Sequence, residues 1–198
     1  MKQLVFIAFL LFSIPGWAQN RVPVLFQLTD GSELSGYLKP FYHGAKTFEY
    51  SDEPKGQLNK MKLELVKRMI TTEEGRTYVY EVVHLLNSKT DKKENTLLLQ
   101  LMVEGHMNLY YYNGEFPCYY IKPNPEAKGA YFATLTYLPN TTKRYPKQEI
   151  RINKSFTKNT TAFFQDHPEI SKEFAEGKAD FLKIHDLVRR YNTYKAGQ

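Results

Sequence analysis

Between Val24 and Leu138 apolar and polar side chains alternate with a period of two. That rhythm sets the fold class, because successive side chains of a strand point to opposite faces of a sheet. In VPVLFQLTDGSELSGYLKP, Val24, Phe26 and Leu28 alternate with more polar neighbours, and Asp30-Gly31 predicts a hairpin closed by a type I′ turn. Tyr42-His43-Gly44 reads as the next turn, residues 46–50 as a short strand, and residues 51–56, with Pro54, as a loop. LNKMKLELVKRMI predicts a strand over its whole length: Leu58, Met61, Leu63 and Leu65 include an inward set, and Lys60, Lys62 and Glu64 face out. After a turn at Glu73-Glu74-Gly75, TYVYEVVHLL returns as a strand rich in β-branched and aromatic residues. The polar segment from Asn87 to Asn95 reads as a surface loop and the most mobile part of the chain.

The stretch LLLQLMVEGHMNLYYYNG holds two strand-like runs separated by Glu104-Gly105, a spacing that predicts an antiparallel hairpin. Alternation splits its tyrosine row. Met107, Leu109 and Tyr111 share one face, read as core, while Asn108, Tyr110 and Tyr112 share the other, read as the more polar one. Residues 118–122 and 130–138 supply two further strands around a loop at 123–129. The predicted fold is α+β and mainly β: an antiparallel sandwich or partly open barrel over residues 19–150.

Past residue 150 the period changes to three and four, and residues 151–198 read as a short helical segment docked on the β domain. Asn153 or Ser155 caps a weak first helix carrying Phe156, Phe163 and Phe164. Asp166-His167-Pro168-Glu169 reads as a capping box with Asp166 as N-cap, and Gly177 closes that helix. Asp180 is expected to cap the last helix, whose stripe of Phe181, Ile184, Leu187, Val188 and Tyr191 opposes Lys183, Asp186, Arg189 and Arg190.

The chain opens MKQLVFIAFLLFSIPGWAQN, which has the layout of a secretory signal peptide over residues 1–18, cleaved after Ala18. Its apolar run is too short for a membrane span of about 20 residues. The expected address is therefore exported, periplasmic or outer-membrane-associated. Cys118 is the one cysteine, so no intramolecular disulfide can form, and within FPCYYIK it reads as a small buried hydrophobe. The 27 basic residues are interspersed with 21 acidic ones, as in Lys60, Lys62, Glu64, Lys67 and Arg68, so no continuous stripe suggests nucleic acid.

No motif of covalent catalysis or phosphate binding is present, and the five histidines, His43, His84, His106, His167 and His185, lack metal-site spacing. We therefore expect no catalytic residues, no metal and no cofactor. The 15 tyrosines and 13 phenylalanines leave binding as the functional idea, with Tyr110, Tyr112 and Tyr119 as the candidate ligand-binding patch. The expected function is a non-enzymatic envelope protein acting as a binding or interaction module for a protein or glycan partner. The alternative is a hydrolase of envelope polymers whose site is assembled from distant His and Asp/Glu residues.

In order along the chain, DGSELSGYLKP, LMVEGHMNLYYYNG, YYIKP and DLVRRYN resemble the motifs of a family of uncharacterised exported proteins of Bacteroidota. Its members carry a "dG..i.Gyi" start, a "veGk..LYyy" hairpin and a helical end in "lv..YN". His106 and Met107 stand here where the family has a lysine and a β-branched residue. The resemblance implies an envelope or periplasmic setting and brings no activity, cofactor or catalytic residue.

Overall fold

The structure, a computed structural model, describes residues 21–85, 95–113, 118–122, 133–139, 148–151, 161–180 and 183–198. The expected signal peptide, the polar loop at 87–94, most of the first tail helix and Phe181 lie outside the described residues. Eleven strands among the described residues form one open, antiparallel sheet. In chain order they are β1 (Val22–Leu28), β2 (Glu33–Leu38), β3 (Thr47–Ser51), β4 (Asn59–Lys62), β5 (Val66–Glu73) and β6 (Arg76–Leu85). There follow β7 (Asn95–Val103), β8 (Asn108–Tyr112), β9 (Cys118–Lys122), β10 (Ala133–Pro139) and β11 (Gln148–Arg151). Their order across the sheet is β11-β10-β9-β8-β7-β6-β5-β1-β2-β3-β4.

That order forces the N-terminal half to curl. A 3₁₀ turn of three residues, Leu63–Leu65, joins β4 to β5, and such a turn advances about 6 Å. Yet β4 and β5 stand at opposite ends of the run β5-β1-β2-β3-β4, which laid flat would separate them by roughly 19 Å. The five strands roll into a partly open barrel. Two backbone bonds pin the turn: Thr29 N donates to the Leu65 carbonyl and Leu63 N to the Lys46 carbonyl, each at 2.9 Å. The interior holds Phe26, Leu38, Phe48, Met61, Val66 and Met69.

The 3₁₀ turn also corrects the reading of LNKMKLELVKRMI as one strand. Leu63 and Val66 are buried, whereas Glu64 and Leu65 both face out, and Leu65 is 47% exposed. The turn shifts the alternation by one residue, so β4 pairs with β3 and β5 pairs with β1 and β6. A second correction concerns the first hairpin. Gly31 has φ +89°, but Asp30 is not left-handed, so the turn is not type I′. Gly31 N instead donates to the Leu28 carbonyl at 3.1 Å, and Asp30 Oδ1 accepts from Ser32 N at 2.9 Å. Positive φ at both central residues, the type I′ requirement, occurs at Glu74 (49°) and Gly75 (76°) in the β5–β6 hairpin.

The C-terminal segment contributes α1 (Pro168–Ala175) and α2 (Ile184–Ala196). The expected stripe is buried: Ile184, Leu187, Val188 and Tyr191 pack with Phe164 and Ile170 against Val103, Met107, Leu109 and Ile121 of the sheet. The caps are displaced from their expected positions. The α1 N-cap is His167, whose Nδ1 accepts from Ile170 N at 3.4 Å, with Pro168 starting the helix. Asp166 is drawn away instead to Lys195 Nζ at 2.8 Å and to the Tyr191 hydroxyl at 3.3 Å. The α2 N-cap is Lys183, three positions beyond Asp180. Arg190 bridges the two helices through both oxygens of Glu173, at 2.6 and 3.1 Å. No helix among the described residues is long and apolar enough to cross a membrane.

One side chain fastens the helices to the β7–β8 hairpin. Asn192 Oδ1 accepts from Met107 N at 2.8 Å, and Asn192 Nδ2 donates to the Met107 carbonyl at 2.9 Å. The amide thus pairs with the backbone as a neighbouring strand would. Gly105 makes room for it, since a Cβ there would lie 2.5 Å from Asn192 Nδ2 and 2.6 Å from its Cγ. Gly105→Ala and Asn192→Ala are each expected to cost about 1–3 kcal/mol, the cost of stranding part-buried polar groups. Because both changes open the same clasp, the double variant should cost little more than the worse single. Strict additivity in urea unfolding would show that the two residues do not act through each other.

Candidate functional site

The three tyrosines expected to form a patch are not brought together: Tyr112 packs against the cluster that holds Tyr110, and Tyr119 lies on the other face. Tyr110 is 1% exposed. Its hydroxyl donates to Glu81 Oε2 at 2.6 Å and accepts from Asn108 Nδ2 at 2.9 Å. Asn108 is itself buried, its Oδ1 accepting from Gly105 N at 3.0 Å. Glu81 in turn receives Arg68 Nε at 2.9 Å, and Arg68 reaches on to Glu104 at 2.7 Å. Burial first, and then the Glu81 charge, hold the Tyr110 hydroxyl far above the usual range for its ionisation. The polar neighbour that suggested a solvent-facing side is a satisfied buried amide, and Tyr110 is a core residue.

Tyr119 lies on the opposite face, as its position opposite Tyr111 in the β8–β9 ladder requires. Its ring stands 5.1 Å from that of Tyr111 and meets His185 of α2 edge-on at 5.0 Å. Tyr112 is half-buried, with His43 edge-on at 6.1 Å. Met107, Leu109 and Tyr111 do share the face that the helices cover, as alternation predicted.

The remaining reactive side chains have local roles. His43 sits among Phe41, Tyr80 and Tyr112, accepts weakly from Asn113 N at 3.5 Å, and is held below its ordinary pKa by burial. Burial likewise lowers the pKa of His185 and raises that of the Cys118 thiol. Burial thus disfavours the charged form of each of these groups, His43 among its aromatic neighbours and Cys118 in β9. Among the described residues, no group of three or more His, Cys, Asp or Glu side chains is placed to hold a metal ion.

The arrangement best suited to a ligand is a cleft of about 830 Å³ at the seam where the barrel fails to close. It is bounded by the start of β3, the β4 end with its 3₁₀ turn, and the facing ends of β6 and β7. Among the described residues Lys46, Lys62 and Lys67 line it together with one acid, Glu64, that sits 3.4 Å from Lys62. Lys46 Nζ also donates to the Thr96 carbonyl, tying β7 to the segment before β3. His84 Nδ1 lies 3.1 Å from Thr96 Oγ1 at the same end. Leu63 and Val66, both almost wholly buried, give an apolar lining, and Thr29 and Thr47 add hydroxyls. The volume falls within the range of small-ligand sites, roughly 300–1,000 Å³. Low-dielectric walls lined by cations raise the local concentration of anions.

Along the chain Lys62 and Lys67 are interspersed with Glu64, so the sequence shows no basic stripe there. The tight Leu63–Leu65 turn between them sets both lysines on the lining of one cleft, and no signal in the sequence marks that turn. A second cavity, of about 530 Å³, lies between α1 and α2 at His167, Arg190 and Tyr194. Its Arg190 is committed to Glu173, which marks the place as a helix-to-helix joint.

Fold and site together define an open antiparallel β protein with a docked helical pair and a lysine-lined seam. Compared with known proteins, the chain matches no family model, no curated protein and no solved structure.

Proposed function

We propose that this protein is an exported, non-enzymatic binding module of the cell envelope or periplasm, and that its partner enters the lysine-lined cleft. The observation that carries this reading is the convergence of Lys46, Lys62 and Lys67 over buried Leu63 and Val66 at the barrel seam. Among the described residues three cations gather there beside one acid, an arrangement from which an anionic partner gains both steering and contact. The signal-like N-terminus and the resemblance to exported proteins of Bacteroidota support the address.

The test is to immobilise residues 19–198 and compare what they retain from an envelope extract with what a Lys46→Ser/Lys62→Ser/Lys67→Ser variant retains. The native chain is expected to hold a partner that moderate salt releases and that the triple variant loses. Tyr112→Ser, away from the cleft, should keep it. Equal retention by native chain and triple variant would remove the cleft from the function.

A further inference from the structure

Resting on that reading, we propose that the occupant of the cleft is an extended, acidic peptide segment of a partner protein, added as a strand along β4. Four features of the seam point to it. The first is the edge itself. β4 ends the sheet and pairs, among the described residues, with β3 alone. Its far side therefore offers backbone donors and acceptors, and its last residue, Lys62, lines the cleft. An exposed edge of this kind is where an extended peptide gains main-chain hydrogen bonds.

The second feature is charge. Lys60 and Lys62 are the outward side chains of β4, both exposed, with buried Met61 between them. Residues two apart on a strand lie about 7 Å from each other on one face, the same repeat as alternate residues of an added strand. Lys46 and Lys67 extend the positive field into the cleft. This arrangement rejects a second copy of the chain, which would bring like lysines together, and accepts carboxylates at alternate positions.

The third is Leu65, turned to solvent by the 3₁₀ turn and 47% exposed between the lining residues Glu64 and Val66. It gives an apolar contact for one side chain of an incoming peptide. The fourth is the lining, which among the described residues has no Phe, Tyr or Trp. Flat aromatic faces are the usual platform for apolar ring faces, and their absence favours a peptide over a saccharide.

The probe is a fluorescent peptide of sequence Glu-Thr-Glu-Val-Glu-Thr-Glu-Val, titrated against residues 19–198 by anisotropy. Its comparisons are the same peptide N-methylated at alternate backbone positions, a version with lysine for glutamate, and tri-galacturonate as competitor. Native protein should bind the acidic peptide and weaken at least about tenfold when salt rises enough to screen surface charge. Lys60→Glu/Lys62→Glu should weaken it by at least about tenfold and favour the lysine peptide. Lys172→Glu, exposed on α1 and remote from the seam, should leave binding unchanged. Backbone methylation should abolish it, because an added strand needs its N–H groups. Because Lys60 faces Glu49 across the ladder and Lys62 pairs with Glu64, binding by the double variant is read at a temperature below its own melting transition.

Equal binding of the methylated peptide would overturn strand addition, as would binding of tri-galacturonate without the peptide. Either result leaves the cleft a binding site. If neither probe binds, the peptide assignment is lost, and the extract comparison decides the broader reading separately.

Discussion

Tyr110→Ser is expected to lower stability by about 3–5 kcal/mol, the cost of emptying a buried aromatic site. Tyr112→Ser should cost distinctly less. The two residues share a face of β8, and alternation alone treats them alike, but Tyr110 is 1% exposed and Tyr112 half-buried. Tyr110 also joins three separate parts of the sheet through its hydroxyl: Glu81 of β6, Asn108 at the start of β8, and through Glu81 the guanidinium of Arg68 in β5. Tyr110→Phe isolates that hydroxyl. It should cost about 1–3 kcal/mol, since the ring stays while a part-buried carboxylate and a buried amide each lose a partner. Urea unfolding of the three variants checks the order. The assignment of Tyr110 to the core fails if Tyr110→Ser and Tyr112→Ser shift the midpoint equally, or if Tyr110→Phe matches the native chain.

The first strand was legible because β1 buries one side more than the other, and period two is the imprint of that asymmetry. Val24, Phe26 and Leu109 were readable in this way. The helical stripe of α2 was legible for the same reason at period 3.6. What escaped depends on contacts between distant segments. A single-residue phase shift at Leu63–Leu65 leaves only two adjacent outward residues in the sequence, yet it divides a strand and rolls the barrel. Asn108 looked like a marker of solvent because a polar residue in a strand ordinarily is one. Its partners, Gly105 N and the Tyr110 hydroxyl, come from the hairpin that folds around it. His167 displaced Asp166 as the α1 cap because Lys195, from the end of α2, competes for the carboxylate and holds its pKa below the usual range. The cleft was unreadable for the same cause: Lys46 and Lys67 come from segments that only the curled sheet brings together.

The docked tail yields the second large effect. Leu187→Ala is expected to cost about 2–5 kcal/mol, because Leu187 is 3% exposed and the cavity it would leave is walled by both helix and sheet. The form of the transition matters as much as its size. Val103, Met107, Leu109 and Ile121 of the β7–β9 region share one cluster with Ile184, Leu187 and Val188, and Asn192 bonds the backbone at Met107. Loosening α2 therefore uncovers the middle of the sheet. The barrel core reaches the same strand β7 through Leu98, so strain at one cluster is felt at the other. Far-ultraviolet circular dichroism and tyrosine fluorescence should report a single unfolding transition in the variant, moved to lower urea at both probes. Were the tail an independent appendage, helical signal would vanish first while tyrosine fluorescence kept its native midpoint. Two separated transitions would therefore break the link between helix and sheet, even with the predicted loss of stability in hand.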